Sequence, residues 1–204
     1  MVFAVPLRIL LLCLLHFSTC AVGEDVNPTI LMSTVQKFQN VLAEDIGQYT
    51  VVFRVEKSKC LEDSGYPDQI LLTQVNKTLQ NNEVYRSNDR DLIAAKADKD
   101  LQLDSEFRLK NYLGDILNVG DKCVVYFTFN SPCLSKCLSG HSNIKTSLRR
   151  LQRYNGIKAS AFQNIFAWEG GSDNRNAVIN RLKTIARSLP YYQCERNQAE
   201  CERL

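Results

Sequence analysis

Histidine is nearly absent from this chain. Only His16 and His141 occur in 204 residues, and His16 lies in a stretch that reads as a cleaved leader, so His141 is the one imidazole of the mature protein. Long hydrophobic runs are lacking as well. Beyond Ile9 to Phe17 no segment approaches the roughly 20 apolar residues that a membrane-spanning helix needs, which excludes a membrane anchor in the mature chain. Nor is there an excess of one charge: 25 Lys and Arg against 22 Asp and Glu give +3, and losing Arg8 with the leader leaves +2. A protein that coats a polynucleotide backbone shows a clearer positive footprint, so net charge does not nominate one as substrate. No internal repeat and no second domain are visible.

What is present begins with Met1 to Gly23, where Arg8, the apolar core and the small residues Ala21-Val22-Gly23 form a secretory signal peptide. The mature chain, about 180 residues, suits one domain with a real core. Cys13 and Cys20 leave with the leader, so six of eight cysteines remain: Cys60, Cys123, Cys133, Cys137, Cys194 and Cys201. In a secreted protein the default for these is disulfides. Asn76-Lys77-Thr78 is a glycosylation sequon and is expected in an exposed loop.

Periodicity orders the rest. Residues 24–47 form an N-terminal helix capped by Asn27-Pro28, with Leu31, Val35, Phe38, Leu42 and Ile46 on one face and Gly47 at its end. Tyr49 to Val55 is a strand, and Gln69 to Val75 a second candidate strand after a loop. The polar stretch Asn76 to Asp100 reads as a long surface loop with one helical turn near Leu92 to Ala97. Leu103 to Leu117 reads as one helix capped by Asp104, and Lys122 to Phe129 as a central strand, apolar on both faces. A proline-started helix from Pro132 ends at Ser139-Gly140, and Asn143 to Tyr154 forms another. Ile157 to Trp168 reads as a strand, Gly170-Gly171 as a break, and a last amphipathic helix runs from Asp173 or Asn174 to Pro190. These elements make residues 48–190 one α/β sandwich around a mixed sheet, followed by a cysteine-containing tail, 191–204.

The most informative stretch runs from Phe127 to Cys137, where an aromatic strand meets Ser131-Pro132-Cys133 and a second cysteine follows four residues later. Two thiols at that spacing share a helical face and suit a zinc site. Without the Ser-Pro context they would equally serve as structural disulfide partners. Asp104 and Glu106 read as a ligand and a proton shuttle, or as an N-cap and a first-turn acid. Lys145, Arg149, Arg150 and Arg153 read as a solvated face before a nucleic-acid groove, and Tyr126, Phe127 and Phe129 as core before base-stacking residues. In zinc deaminases one His-type ligand and two cysteines hold the metal, and a glutamate two residues after the first ligand shuttles protons. Here 25 residues, Phe107 to Ser131, separate Glu106 from Pro132, enough for a helix, a turn and a strand.

Asp104-Ser105-Glu106 with Leu109, Tyr126 to Cys133 with Cys137, and the order of elements from about Tyr49 to Leu189 resemble the AID/APOBEC-like cytidine deaminases, most closely the secreted branch described from fishes. The resemblance implies a three-layer sandwich with a mixed sheet of four to five strands flanked by helices. It implies Zn2+ held by Asp104, Cys133 and Cys137, Glu106 as general acid and base, and a pocket shaped by Phe129, Ser131 and Pro132. The substrate it implies is cytosine in single-stranded nucleic acid, or a cytidine-type nucleoside, in a setting of immune defence. With zinc on two cysteines, three pairings of the other four are open; the family's strand order favours Cys60 with Cys123, leaving Cys194 with Cys201. The departure is Asp104, where the family has histidine. A carboxylate with two thiolates makes a more anionic site and weakens the metal's pull on water, so the competing reading is a catalytically silent deaminase fold used as an extracellular binding module. A disulfide-bonded domain without metal is the third.

Overall fold

The computed structural model describes residues 25–62, 65–118, 120–140, 143–166 and 174–204. The leader, His141, Gly170-Gly171 and Asp173 lie outside them. Helix α1, Pro28–Ile46, starts where the sequence puts it: Asn27 Oδ1 accepts the amides of Thr29 and Ile30, and proline occupies the first turn. It ends at Gly47, whose φ of 70° is left-handed and suits glycine. Strand β1, Tyr49–Val55, is buried along its whole length. It is followed by the short helix α2, Lys57–Leu61.

Four expectations fail between Gln69 and Leu117. Gln69 to Val75 is helical, as part of α3, Gln69–Gln80. Asp68 caps it by accepting the Leu71 amide, and Leu72, Val75 and Leu79 form its buried face. The apolar cluster Ile70-Leu71-Leu72 is too short to separate the two periods, and Ile70 is 72 % exposed. The sequon lies on this helix and not in a loop, with Asn76 half-buried. The supposed long loop then supplies two strands, β2, Tyr85–Arg86, and β3, Leu92–Lys96. The alanines of Leu-Ile-Ala-Ala-Lys carry little strand propensity; pairing makes this segment a strand. Leu103 to Leu117 divides into α4, Ser105–Leu109, and α5, Leu113–Leu117, because the Lys110 and Tyr112 amides bond carbonyls three residues back.

Strand β4, Cys123–Asn130, and helix α6, Lys145–Arg153, follow as read. The proline-started helix does not form. Residues 134–139 are turns. Strand β5, Ile157–Asn164, leads to α7, Asn174–Ile185. The tail is not an appendage: β6, Tyr191–Gln193, and β7, Glu202–Arg203, complete the sheet.

The sheet has seven strands in the order β2-β3-β1-β4-β5-β6-β7, more than the four to five expected. Strand β1 pairs antiparallel with β3 and β4, and β4–β5 and β5–β6 are parallel. Each parallel pair is joined through a helix, α6 and then α7, as a crossover requires. Alternation along the strands gives two apolar layers. Val51, Phe53, Val125 and Phe127 pack under α1 and α3, while Val52, Val124, Tyr126 and Phe162 pack under α4, α5, α6 and α7. The three-layer sandwich is therefore present.

Cys60 and Cys123 are bonded across 63 residues of sequence, and Cys194 and Cys201 across 7. The second pair anchors the tail: the Cys201 amide donates to the Pro28 carbonyl, and Gln39 donates to the Cys194 carbonyl at 3.3 Å. By loop-closure entropy, Cys60→Ser with Cys123→Ser is expected to cost about 4 kcal/mol and Cys194→Ser with Cys201→Ser about 2 kcal/mol. Urea unfolding of the two double variants measures the order; the reverse order would mean that the staples act through native packing.

Candidate metal centre

The site forms where the carboxyl end of β4 meets the start of α4, the crevice in which open α/β sheets bind ligands. Thr50 of β1 lies opposite Thr128 of β4, both on the face that α4 covers. Thr50 Oγ1 is 2.8 Å from Ser105 Oγ, which pins the first turn of α4 to the sheet. Ser105 Oγ donates to Glu106 Oε2 at 3.0 Å, so Thr50 donates to Ser105, and a buried chain runs Thr50, Ser105, Glu106. Asp104 sits one residue earlier with its side chain 26 % exposed. It makes no side-chain cap, so the N-cap reading of this carboxylate does not hold.

Across from it the chain turns back on itself after Pro132. The Cys137 amide donates to Cys133 Sγ at 3.0 Å, and the Leu138 amide reaches the Cys133 carbonyl. The thiols are neighbours because a turn wraps around Cys133, not because they share a helical face. Cys137 Sγ lies 3.5 Å from Asp104 Oδ2. The ligand atoms of Asp104, Cys133 and Cys137 all fall within 4.8 Å of one another. Tetrahedral zinc, with Zn–S about 2.3 Å and Zn–O about 2.0–2.2 Å, spaces its ligand atoms about 3.5–3.8 Å apart. The donor set therefore fits zinc with a small closure of the turn, and no other such group occurs among the described residues.

The electrostatics fit a cation too. Glu106 is 2 % exposed. Burial raises its carboxyl to about 7; its own backbone amide and Ser105 oppose the rise, and the charges of Asp104 and Cys133 add to it. The Cys133 thiol is lowered to about 7 by the Cys137 side chain and nearby amides that donate to it. Cys137, which supplies that S–H and is buried beside Glu106 and Asp104, is raised. Deep in the same layer the Tyr126 hydroxyl is buried without a hydrogen-bond partner among the described residues, and burial first, then Glu106 and Cys137, raise its pKa.

Lys136 is the residue that sequence reasoning missed. Its Nζ is 3.3 Å from Asp104 Oδ2 and donates to the Gln102 carbonyl at 2.7 Å. Asp104 and Lys136 together are neutral, as a histidine ligand would be. The available signal was a lysine beside the second cysteine of a chain whose first candidate ligand is acidic. Thr50 had no local signal, since only strand register brings it to Ser105.

Of the three residues expected to shape a pocket, Ser131 and Pro132 are buried between the end of β4 and the thiol turn. The Ser131 amide donates to the Asn164 carbonyl, and Ser131 Oγ accepts the Phe166 amide at 3.0 Å, tying the ends of β4 and β5 together. Phe129 does not join them. It stacks on Tyr49 with ring centroids 5.5 Å apart, on the α1 face, because side chains alternate along β4. A groove of about 560 Å3 opens between α3 and the β2 turn, away from the thiols.

A mixed sheet with an acid, two unpaired thiols and a buried glutamate at the carboxyl end of a central strand defines a deaminase-type α/β fold. Residues 28–203 match the family described as Secreted Novel AID/APOBEC-like Deaminase 1, and the chain belongs to that family. No curated protein matches it. The protein is accordingly a secreted one, consistent with its two disulfides.

Ser105→Ala is expected to lower the unfolding free energy by about 1–2 kcal/mol, because it strips a buried partner from both Thr50 and Glu106. Denaturant titration measures this; an unchanged midpoint would show that the chain Thr50, Ser105, Glu106 does not hold α4.

Proposed function

We propose that this protein is a zinc-dependent deaminase that hydrolyses the exocyclic amine of cytosine, in single-stranded nucleic acid or a cytidine-type nucleoside, in extracellular defence. The observation that carries the reading is the pair Cys133 and Cys137, left as buried thiols in a secreted chain whose other four mature cysteines are bonded. Adjacent thiols in an oxidising compartment are disulfides by default; beside Asp104 and above Glu106 they have the composition of a metal centre.

Asp104, Cys133 and Cys137 would hold the ion, whose Lewis acidity makes water nucleophilic at neutral pH. Glu106 would take the proton from the attacking water and return it to the substrate. A C–O bond forms at the amine-bearing carbon, the C–N bond breaks, and cytosine plus water becomes uracil plus ammonia. Ser105 keeps one Glu106 oxygen oriented. Lys136 offsets the negative charge that Asp104 brings in place of histidine. The base must be unpaired to reach so recessed a glutamate.

The mature chain is expected to contain one zinc, lost in Cys133→Ala, and to release ammonia from cytidine or from single-stranded DNA or RNA. Glu106→Gln should keep the zinc and lose about 10²–10⁴-fold in rate. Lys136→Ala should keep the zinc and lose a few-fold, roughly two to five, because a half-exposed pair contributes modestly. A zinc-loaded chain inactive on all three substrates would instead establish the binding-module reading, and a Cys133–Cys137 disulfide in the secreted protein would remove the metal centre.

A further inference from the structure

The modest net charge conceals a segregation. Between residues 143 and 190 there are nine Lys or Arg and two acids, Glu169 and Asp173, a net of +7, whereas the rest of the mature chain carries −5. Among the described residues of that span there is no acid at all. The span builds α6 and α7, which lie side by side on one face of the sheet. Gln152 of α6 donates to Ser188, just past the end of α7, at 2.8 Å.

Arg149, Arg150 and Arg153 on α6, Lys183 on α7 and Arg187 just beyond it are all exposed. None makes an ion pair with another described residue. Elsewhere several cations are met by acids: Arg54 by Asp91, Arg86 by Asp115, Lys122 by Glu56; on α7 itself Arg175 meets Glu202. A broad, shallow depression of about 710 Å3 opens among Asn180, Lys183, Thr184 and Arg187. Five cations on and beside two adjoining helices, without an ion pair among the described residues, repel one another, so the surface gains when a polyanion covers it.

Which polyanion follows from what the surface lacks. Single-stranded nucleic acid is held by aromatic platforms as well as by charge. Neither helix carries an aromatic residue, and the flanking Tyr154, Tyr191 and Tyr192 are buried. Four of the five cations are arginines, whose forked guanidinium pairs with planar and tetrahedral oxyanions without help from stacking. The protein is secreted, where chains bearing closely spaced sulfates and carboxylates are presented on cell surfaces and in matrix.

We propose that the α6–α7 surface docks a sulfated polysaccharide of the glycosaminoglycan class, holding the secreted protein at cell surfaces. This does not depend on whether the Asp104 centre is catalytic.

The test uses the full mature chain on immobilised heparin at about 0.15 M salt. Binding is expected, with the triple variant Arg149→Ala, Arg153→Ala, Arg187→Ala weakened about tenfold or more and its salt dependence reduced. A control triple variant of exposed cations elsewhere, Lys77→Ala, Lys99→Ala, Arg196→Ala, is expected to bind like the parent. Circular dichroism establishes that both variants are folded, and single substitutions at the same positions replace a triple variant that is not. No binding by the parent chain, or equal losses in the two variants, overturns the proposal. So does a single-stranded oligonucleotide of matched charge that binds the same arginines more tightly than heparin, which would make the surface a nucleic-acid groove.

Discussion

Strands β1 and β4 pair antiparallel from Thr50 opposite Thr128 to Val55 opposite Cys123, and the candidate centre depends on that register. Side chains alternate between faces, so a slip of one residue would turn Thr50 away from α4 and Tyr49 toward it. The Cys60–Cys123 bond lies at the far end of the pair, beside the last matched residues. The near end carries Ser131 and Pro132 into the thiol turn. Strand β4 is thus a rigid bar, clamped at one end and delivering two cysteines at the other.

In the candidate centre of a chain with almost no histidine, the charged Asp104 and Lys136 stand together as a neutral pair. Asp104 brings a full negative charge next to two sulfurs and a buried carboxyl, an arrangement that repels itself. Two features relieve it. Lys136 faces Asp104 from the same turn that carries Cys137, and Glu106 is held toward its protonated form by burial. A cation between the sulfurs and Asp104 would complete the relief, the physical reason for reading these residues as a metal centre and not as a hydrogen-bonded cluster.

Charge is distributed over the molecule in the same uneven way. The acid-rich part includes the β2–β3 turn with Asp89 and Asp91, where Arg54 of β1 is buried against Asp91 and the Ile116 carbonyl. The basic part is the α6–α7 layer. An overall charge near zero therefore describes neither surface, and composition alone would have assigned the protein no polyanion.

Much of the fold was legible where a segment's pattern and its surroundings agree. Asn27-Pro28 fixed the start of α1, the branched and aromatic residues of Tyr49 to Val55 and Cys123 to Phe129 marked the central strands, and the periodic apolar residues of α6 and α7 marked those helices. Alanine-rich β3 and the apolar cluster of α3 were not legible, because β3 owes its state to pairing with β1, and α3 to packing beside α1. For the candidate centre, the sequence by itself determined the residue types and their order: an acid and a glutamate two apart, then Ser-Pro-Cys and a second cysteine. Only the tertiary structure decided that a turn and not a helix brings the thiols together, that Phe129 faces away, and that Lys136 and Thr50 belong to the site. Those facts depend on strand register and on backbone bonds between distant residues, which local propensity does not encode.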